Sequence, residues 1–149
     1  MRSRRLKNIL SMAMQLVYQW RLWGPMPKEQ SPAAPVVLIV ENDVLLGLVT
    51  ASNLCEASFE VIEAANPVEA LRVLDRIPVD VLFSDIDMPG TIDGLALAKW
   101  VHRRQADTRI ILTSGAARTP GDVKEYASFL PKPYAEKDVE RLLRSVLRS

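Results

Sequence analysis

From residue 36 onward the chain switches repeatedly between two hydrophobic periods. Val36-Val37-Leu38-Ile39-Val40 is an unbroken aliphatic run, which predicts a strand buried on both faces. Asp43 can cap a helix running to about residue 58, with Leu45, Leu48, Val49 and Ser52 at helical spacing. Residues 59–64 read as a second strand. Asn66-Pro67 opens a second helix, with the asparagine as cap and the proline in the first turn. Residues 79–84 form a third apolar run. The stretch from 95 to about 105 is helical in pattern, with Leu97, Trp100 and Val101 inward and Lys99, Arg103 and Arg104 outward. Residues 109–113 read as a fourth strand and 128–130 as a short fifth. Val139, Leu142, Leu143, Val146 and Leu147 then make one apolar stripe of a final helix. Five strands alternating with helices predict an α/β fold: βαβ units and a parallel sheet covered on both faces. Ligands of such sheets bind at the carboxyl ends of the strands, near a switch in strand order.

Before residue 36 the pattern differs. Residues 25–35 hold four prolines and predict an extended linker. Ahead of it, Leu6, Ile9, Leu10, Ala13, Val17 and Trp20 recur at helical spacing, opposite Asn8, Ser11, Gln15 and Gln19. The expected organisation is a basic amphipathic extension at 1–24, a linker at 25–35 and a domain at 36–149. The extension is too short and too polar to cross a bilayer. It shares a basic start and apolar middle with signal peptides, but no small-x-small cleavage site follows. Three readings stand: contact with an anionic membrane surface, docking on a protein or self-association, or a true start at Met12, Met14 or Met26.

Charge supports this division. Residues 1–34 carry six Lys/Arg against one acid, a net +5; the remainder carries thirteen against seventeen, a net −4. The acidic body is a poor match for nucleic acid. The lone cysteine, Cys55, excludes an internal disulfide, and with the lone histidine, His102, it cannot fill a zinc shell. Neither Gly-x-Gly-x-x-Gly nor a P-loop is present, which argues against dinucleotide or nucleoside triphosphate binding.

The strand ends carry the chemistry. Glu41, Asn42 and Asp43 follow the first strand, Asp85 and Asp87 the third, Thr113 and Ser114 the fourth, and Lys132 the fifth. Acids from two strands, a hydroxyl from another and an ammonium from a fourth would converge on one edge. Clustered carboxylates need a counter-charge, and Mg²⁺ suits one or two carboxylates plus water and phosphate oxygens. Lys132 suits a phosphate oxygen as a point charge. This set supports in-line phosphoryl transfer to a carboxylate.

The segments Val-Leu-Ile-Val-Glu-Asn-Asp at 37–43, Leu-Phe-Ser-Asp-Ile-Asp-Met-Pro-Gly at 82–90, Asp93-Gly94-Leu95, Ile-Ile-Leu-Thr-Ser-Gly at 110–115 and Phe-Leu-Pro-Lys-Pro-Tyr at 129–134 resemble the response-regulator receiver family. The resemblance implies a flavodoxin-like, doubly wound sheet of five parallel strands with five helices. It makes Asp85 the phosphoacceptor, Lys132 its partner and then that of the phosphate, Thr113 the mobile hydroxyl and Phe129 the aromatic switch. Glu41 and Asn42 match the metal-binding pair, and Asp85 with the backbone carbonyl of Asp87 completes the Mg²⁺ set. A cis Lys132–Pro133 bond is also implied. The implied partners are a sensor histidine kinase or histidine phosphotransfer protein and a downstream protein, in the cytoplasm. Of the three readings of residues 1–24, membrane-surface contact would place the chain peripherally at the inner membrane. Because the chain ends with its last helix, output by protein contact, or a role as a phosphate shuttle or sink, is expected.

Three features depart from the family pattern. The second member of the acidic pair is Asn42, so weaker Mg²⁺ binding is expected. The segment between Thr113 and Phe129 is short and holds Pro120-Gly121, so the fourth helix is expected to be short or irregular. The loop at 88–92 is one residue longer than its commonest form. Asn42 also keeps open a receiver that works as a binding module without phosphorylation. Asp-Ile-Asp at 85–87 resembles haloacid-dehalogenase-like phosphatases too, but the later acidic cluster and cap of that family are missing.

Overall fold

A computed structural model describes residues 33–116 and 121–149. The extension predicted at 1–24 and nearly all of the linker lie outside the described residues. Strands β1 (Val36–Val40), β2 (Glu60–Ala64), β3 (Val81–Asp85), β4 (Arg109–Ser114) and β5 (Ser128–Pro131) pair in parallel in the order β2-β1-β3-β4-β5. Between them run α1 (Val44–Glu56), α2 (Pro67–Leu74) and α3 (Gly94–Arg104); α4 (Glu136–Arg148) follows β5.

Period-two alternation in the strands sorts the core into two layers. Leu38, Val40, Leu82, Ile110 and Leu112 point to one face, where Ala70 and Leu74 of α2 and Leu97, Ala98 and Val101 of α3 cover them. Val37, Ile39, Val81, Phe83 and Ile111 point to the other, against Ala51 and Leu54 of α1 and Val139 and Leu143 of α4. The three central strands are therefore buried at nearly every position, as a sheet covered on both sides requires. Helix starts are fixed locally. Asp43, Asn66 and Asp93 each accept a hydrogen bond from the amide three residues on, at 3.1, 2.9 and 2.8 Å, contacts that stabilise a helix end by about 1 kcal/mol each.

Two expectations need correction. The stripe Leu45, Leu48, Val49 and Ser52 does not face the sheet. Gly47, Thr50, Ala51 and Leu54 do, while Leu45 is 72% exposed and Leu48 54%. The first helix is apolar on two sides, and its smaller side wins because it lets the helix lie closer to the sheet. The fourth of the five expected helices, foreseen as short or irregular, is not an α-helix among the described residues. Its place holds a three-residue 3-10 turn, Val123–Glu125, anchored by fully buried Val123 and tied to α3 by a Lys99–Asp122 ion pair of 3.0 Å. Trp100 is only partly buried against the core.

Gly94 sets how closely α3 approaches β3. A Cβ there would lie 1.7 Å from the carbonyl oxygen of Asp85, so any side chain must displace backbone. Gly94→Ala should lower the unfolding free energy by about 3 kcal/mol. Gly115→Ala, with nothing within 4 Å of the new Cβ, should change it by less than about 0.5 kcal/mol. Urea unfolding of the two variants checks the contrast.

Candidate functional site

The strand order reverses between β1 and β3: the chain leaves β1 for β2 on one side, and β3 lies on the other. Glu41 and Asp85 end these two strands at the same edge. Both are buried, at 8% and 5% exposure. Lys132, following β5, reaches across to them and donates from Nζ to Glu41 Oε2 at 2.7 Å and to Asp85 Oδ2 at 2.9 Å. Lys132 N also donates to Ser114 O at 2.9 Å, and the Lys132–Pro133 bond is cis, as the resemblance implied. The remaining carboxylate oxygens have backbone partners. Asp43 N donates to Glu41 Oε1 at 3.0 Å, and Asp87 N donates to Asp85 Oδ1 at 3.1 Å.

Burial alone would pull the Lys132 ammonium down. The hydrogen bonds and negative charges of Glu41 and Asp85 together outweigh it, so its pKa stands above the ordinary lysine value of 10.5. The upward direction fixes the linkage. The stabilisation from this pairing is complete below the unfolded value and is lost as pH rises through the higher folded one.

Thr113 lies opposite Asp85 in the β3–β4 register and is 1% exposed. Its Oγ1 is buried with no hydrogen-bond partner among the described residues. A buried unpaired hydroxyl is costly and marks a place where an acceptor can be received. Phe129 is partly buried and packs on the core beside Leu112, one register step from Thr113. Asn42 and Asp87 are exposed at the mouth of the pocket. The structure thus brings Glu41, Asp85, Thr113 and Lys132 together, with Asn42 and Asp87 at the rim and Phe129 behind. One contact was not foreseen: Ser114 Oγ donates to the Asp87 carboxylate. Both residues stood out at strand ends, but only their side-chain directions reveal that they pair.

The donors at this edge are carboxylate, amide and carbonyl oxygens, a hard set that fits Mg²⁺ rather than a softer metal. No three of the described His, Cys, Asp or Glu residues form a group that could hold a metal ion by themselves. No described helix is long and apolar enough to cross a membrane.

The family model for the response regulator receiver domain matches residues 37–144. The chain is similar to sensor kinase CckA of Brucella abortus, 33% identical over an alignment of 126 residues that covers 78% of this chain and 13% of that protein. It is similar in structure to the receiver domain of hybrid histidine kinase CckA, with a TM-score of 0.64 and 31% identity over 75% of this chain and 98% of that one. It is also similar to response regulator protein TrrA of Thermotoga maritima in complex with Mg²⁺-BeF, with a TM-score of 0.70 and 23% identity over 76% and 99%. This last likeness speaks to the fold. The chain spans between 13% and 56% of the length of the curated relatives it matches.

Removing the shared cation should leave two buried carboxylates facing each other. Lys132→Met is expected to lower the unfolding free energy at pH 7 by about 1–3 kcal/mol, since breaking a buried pair strands its partners. In the wild type this contribution should persist to pH 10 and fade only above 10.5. Urea unfolding at a series of pH values measures both.

Proposed function

The chain belongs to the response-regulator receiver family, and from that premise we propose that it accepts a phosphoryl group on Asp85, with Mg²⁺, and signals through protein contact. The observation that carries this reading is the Lys132 ammonium held at 2.9 Å from Asp85 and 2.7 Å from Glu41, beside the unpaired hydroxyl of Thr113. Receiver domains work with histidine kinases or phosphotransfer proteins, and for this chain the donor is a phosphohistidine on such a partner. An Asp85 carboxylate oxygen attacks phosphorus in line. The bond from phosphorus to the imidazole nitrogen breaks, and its electron pair leaves with the imidazole. Lys132 then pairs with one phosphoryl oxygen, and Thr113 donates to another, which gives its buried hydroxyl a partner.

Receiver domains bind Mg²⁺, and here Asp85, the Asp87 carbonyl, Asn42 and Glu41 are the residues that would hold it. When bound, it offsets the repulsion between a phosphoryl group and an acidic pocket. Movement of Thr113 toward the new charge pulls on β4, and Phe129, packed beside it on β5, transmits the change to the surface. The partner's docking face is supported by α1. Val44 and Leu45 are 70% and 72% exposed, and they stand at the end of the helix next to the pocket. Beside that helix a cavity of about 130 Å³, lined by Leu46, Val49, Tyr134 and Val139 among others, could receive an apolar side chain.

Asn42 supports a second reading, a receiver that binds its target without phosphorylation. Acetyl phosphate with Mg²⁺ separates the two. Intact-mass spectrometry should find one added phosphoryl group on the wild type, none after chelation of Mg²⁺ and none on Asp85→Asn. Thr113→Val should still be modified but should lose the conformational response. An unmodified wild type would favour the second reading.

A further inference from the structure

The pocket lacks a carboxylate at residue 42 and has an additional one at residue 87. Asn42 is exposed and uncharged. Glu41 uses one oxygen on the Asp43 amide and the other on Lys132. Asp85 uses one on the Asp87 amide and the other on Lys132. Both buried acids are therefore already engaged by the same ammonium. The Asp87 carboxylate is not. Its side chain accepts only from the neutral hydroxyl of Ser114 among the described residues, and it lies exposed at the rim. Its backbone is pinned by the hydrogen bond that its N–H donates to Asp85 Oδ1. Side-chain rotation alone can carry this charge away from β4 and toward the β1–β3 mouth of the pocket.

Resting on the cation-assisted reading above, we infer that the Asp87 carboxylate supplies toward the divalent cation the negative charge that Asn42 lacks, and that Ser114 parks it when it is not so engaged. Three acids and one lysine leave a formal −2 at this edge, and Asp87 accounts for half of it. A second acid at residue 42 would make it −3. The two positions are thus alternatives rather than partners. A cation that binds through few protein oxygens responds strongly to each charge among them.

Mn²⁺ serves as the probe, with binding to the full chain followed by the electron paramagnetic resonance of the free ion. Asp87→Asn keeps the shape and removes the charge, and should weaken Mn²⁺ binding by about tenfold or more. Adding Asn42→Asp to that variant should bring the affinity back to within about threefold of the wild type. Ser114→Ala, which frees the carboxylate, should tighten binding by about two- to threefold. Asp87→Asn binding as tightly as the wild type would overturn the inference, and so would a weakened Asp87→Asn that Asn42→Asp fails to rescue. Wild-type binding abolished by Asp85→Asn but untouched by Asp87→Asn would sink this inference alone. No Mn²⁺ binding by the wild type or by Asn42→Asp would sink the cation-assisted reading, and this inference with it.

Discussion

One ammonium shared between two buried carboxylates organises this molecule. Lys132 sits 2.7 Å from Glu41 and 2.9 Å from Asp85, three residues contributed by the ends of β5, β1 and β3. Bringing such groups out of water costs several kcal/mol each before any attraction is counted. The pocket is therefore a place where the fold tolerates stored electrostatic cost. The net negative charge that remains favours an added cation, and the unpaired hydroxyl of Thr113 favours an added acceptor.

The rest of the domain holds that arrangement in place. Apolar side chains on both sheet faces lock the strands in register, so that Asp85 lies opposite Thr113. Gly94 lets α3 come against the backbone of Asp85, which fixes the end of β3 from behind. The amides of Asp43 and Asp87 orient the outer oxygens of the two acids. The strand ends thus present the unpaired hydroxyl of Thr113 beside two carboxylates that share one ammonium.

Much of this was readable along the chain. An unbroken aliphatic run marked β1 and a largely apolar one β3, and Asp43 and Asn66 marked helix starts because a capping side chain is a local, sequence-adjacent device. The candidate site residues stood out by their places at strand ends, except Phe129, which came from the resemblance alone. What failed was whatever depends on choosing among similar surfaces. Helix α1 has apolar residues on two sides, and only packing distance favours the Gly47–Thr50–Ala51–Leu54 side. The segment before β5 reads as a reduced helix, and the chain there closes in a 3-10 turn. The Ser114–Asp87 contact joins two strand ends through rotamers, which no spacing rule encodes.

The central claim is that Asp85, Thr113 and Lys132 form one phosphoryl-receiving pocket. Amide NMR of the ¹⁵N-labelled chain, titrated with beryllofluoride in the presence of Mg²⁺, tests it most directly, because this ion mimics a phosphoryl group on a carboxylate. Saturable shifts should centre on residues 85–87, 113–115 and 132, and should extend along β4 and β5 toward Phe129. A spectrum that does not change, or changes centred on another part of the surface, would contradict the account.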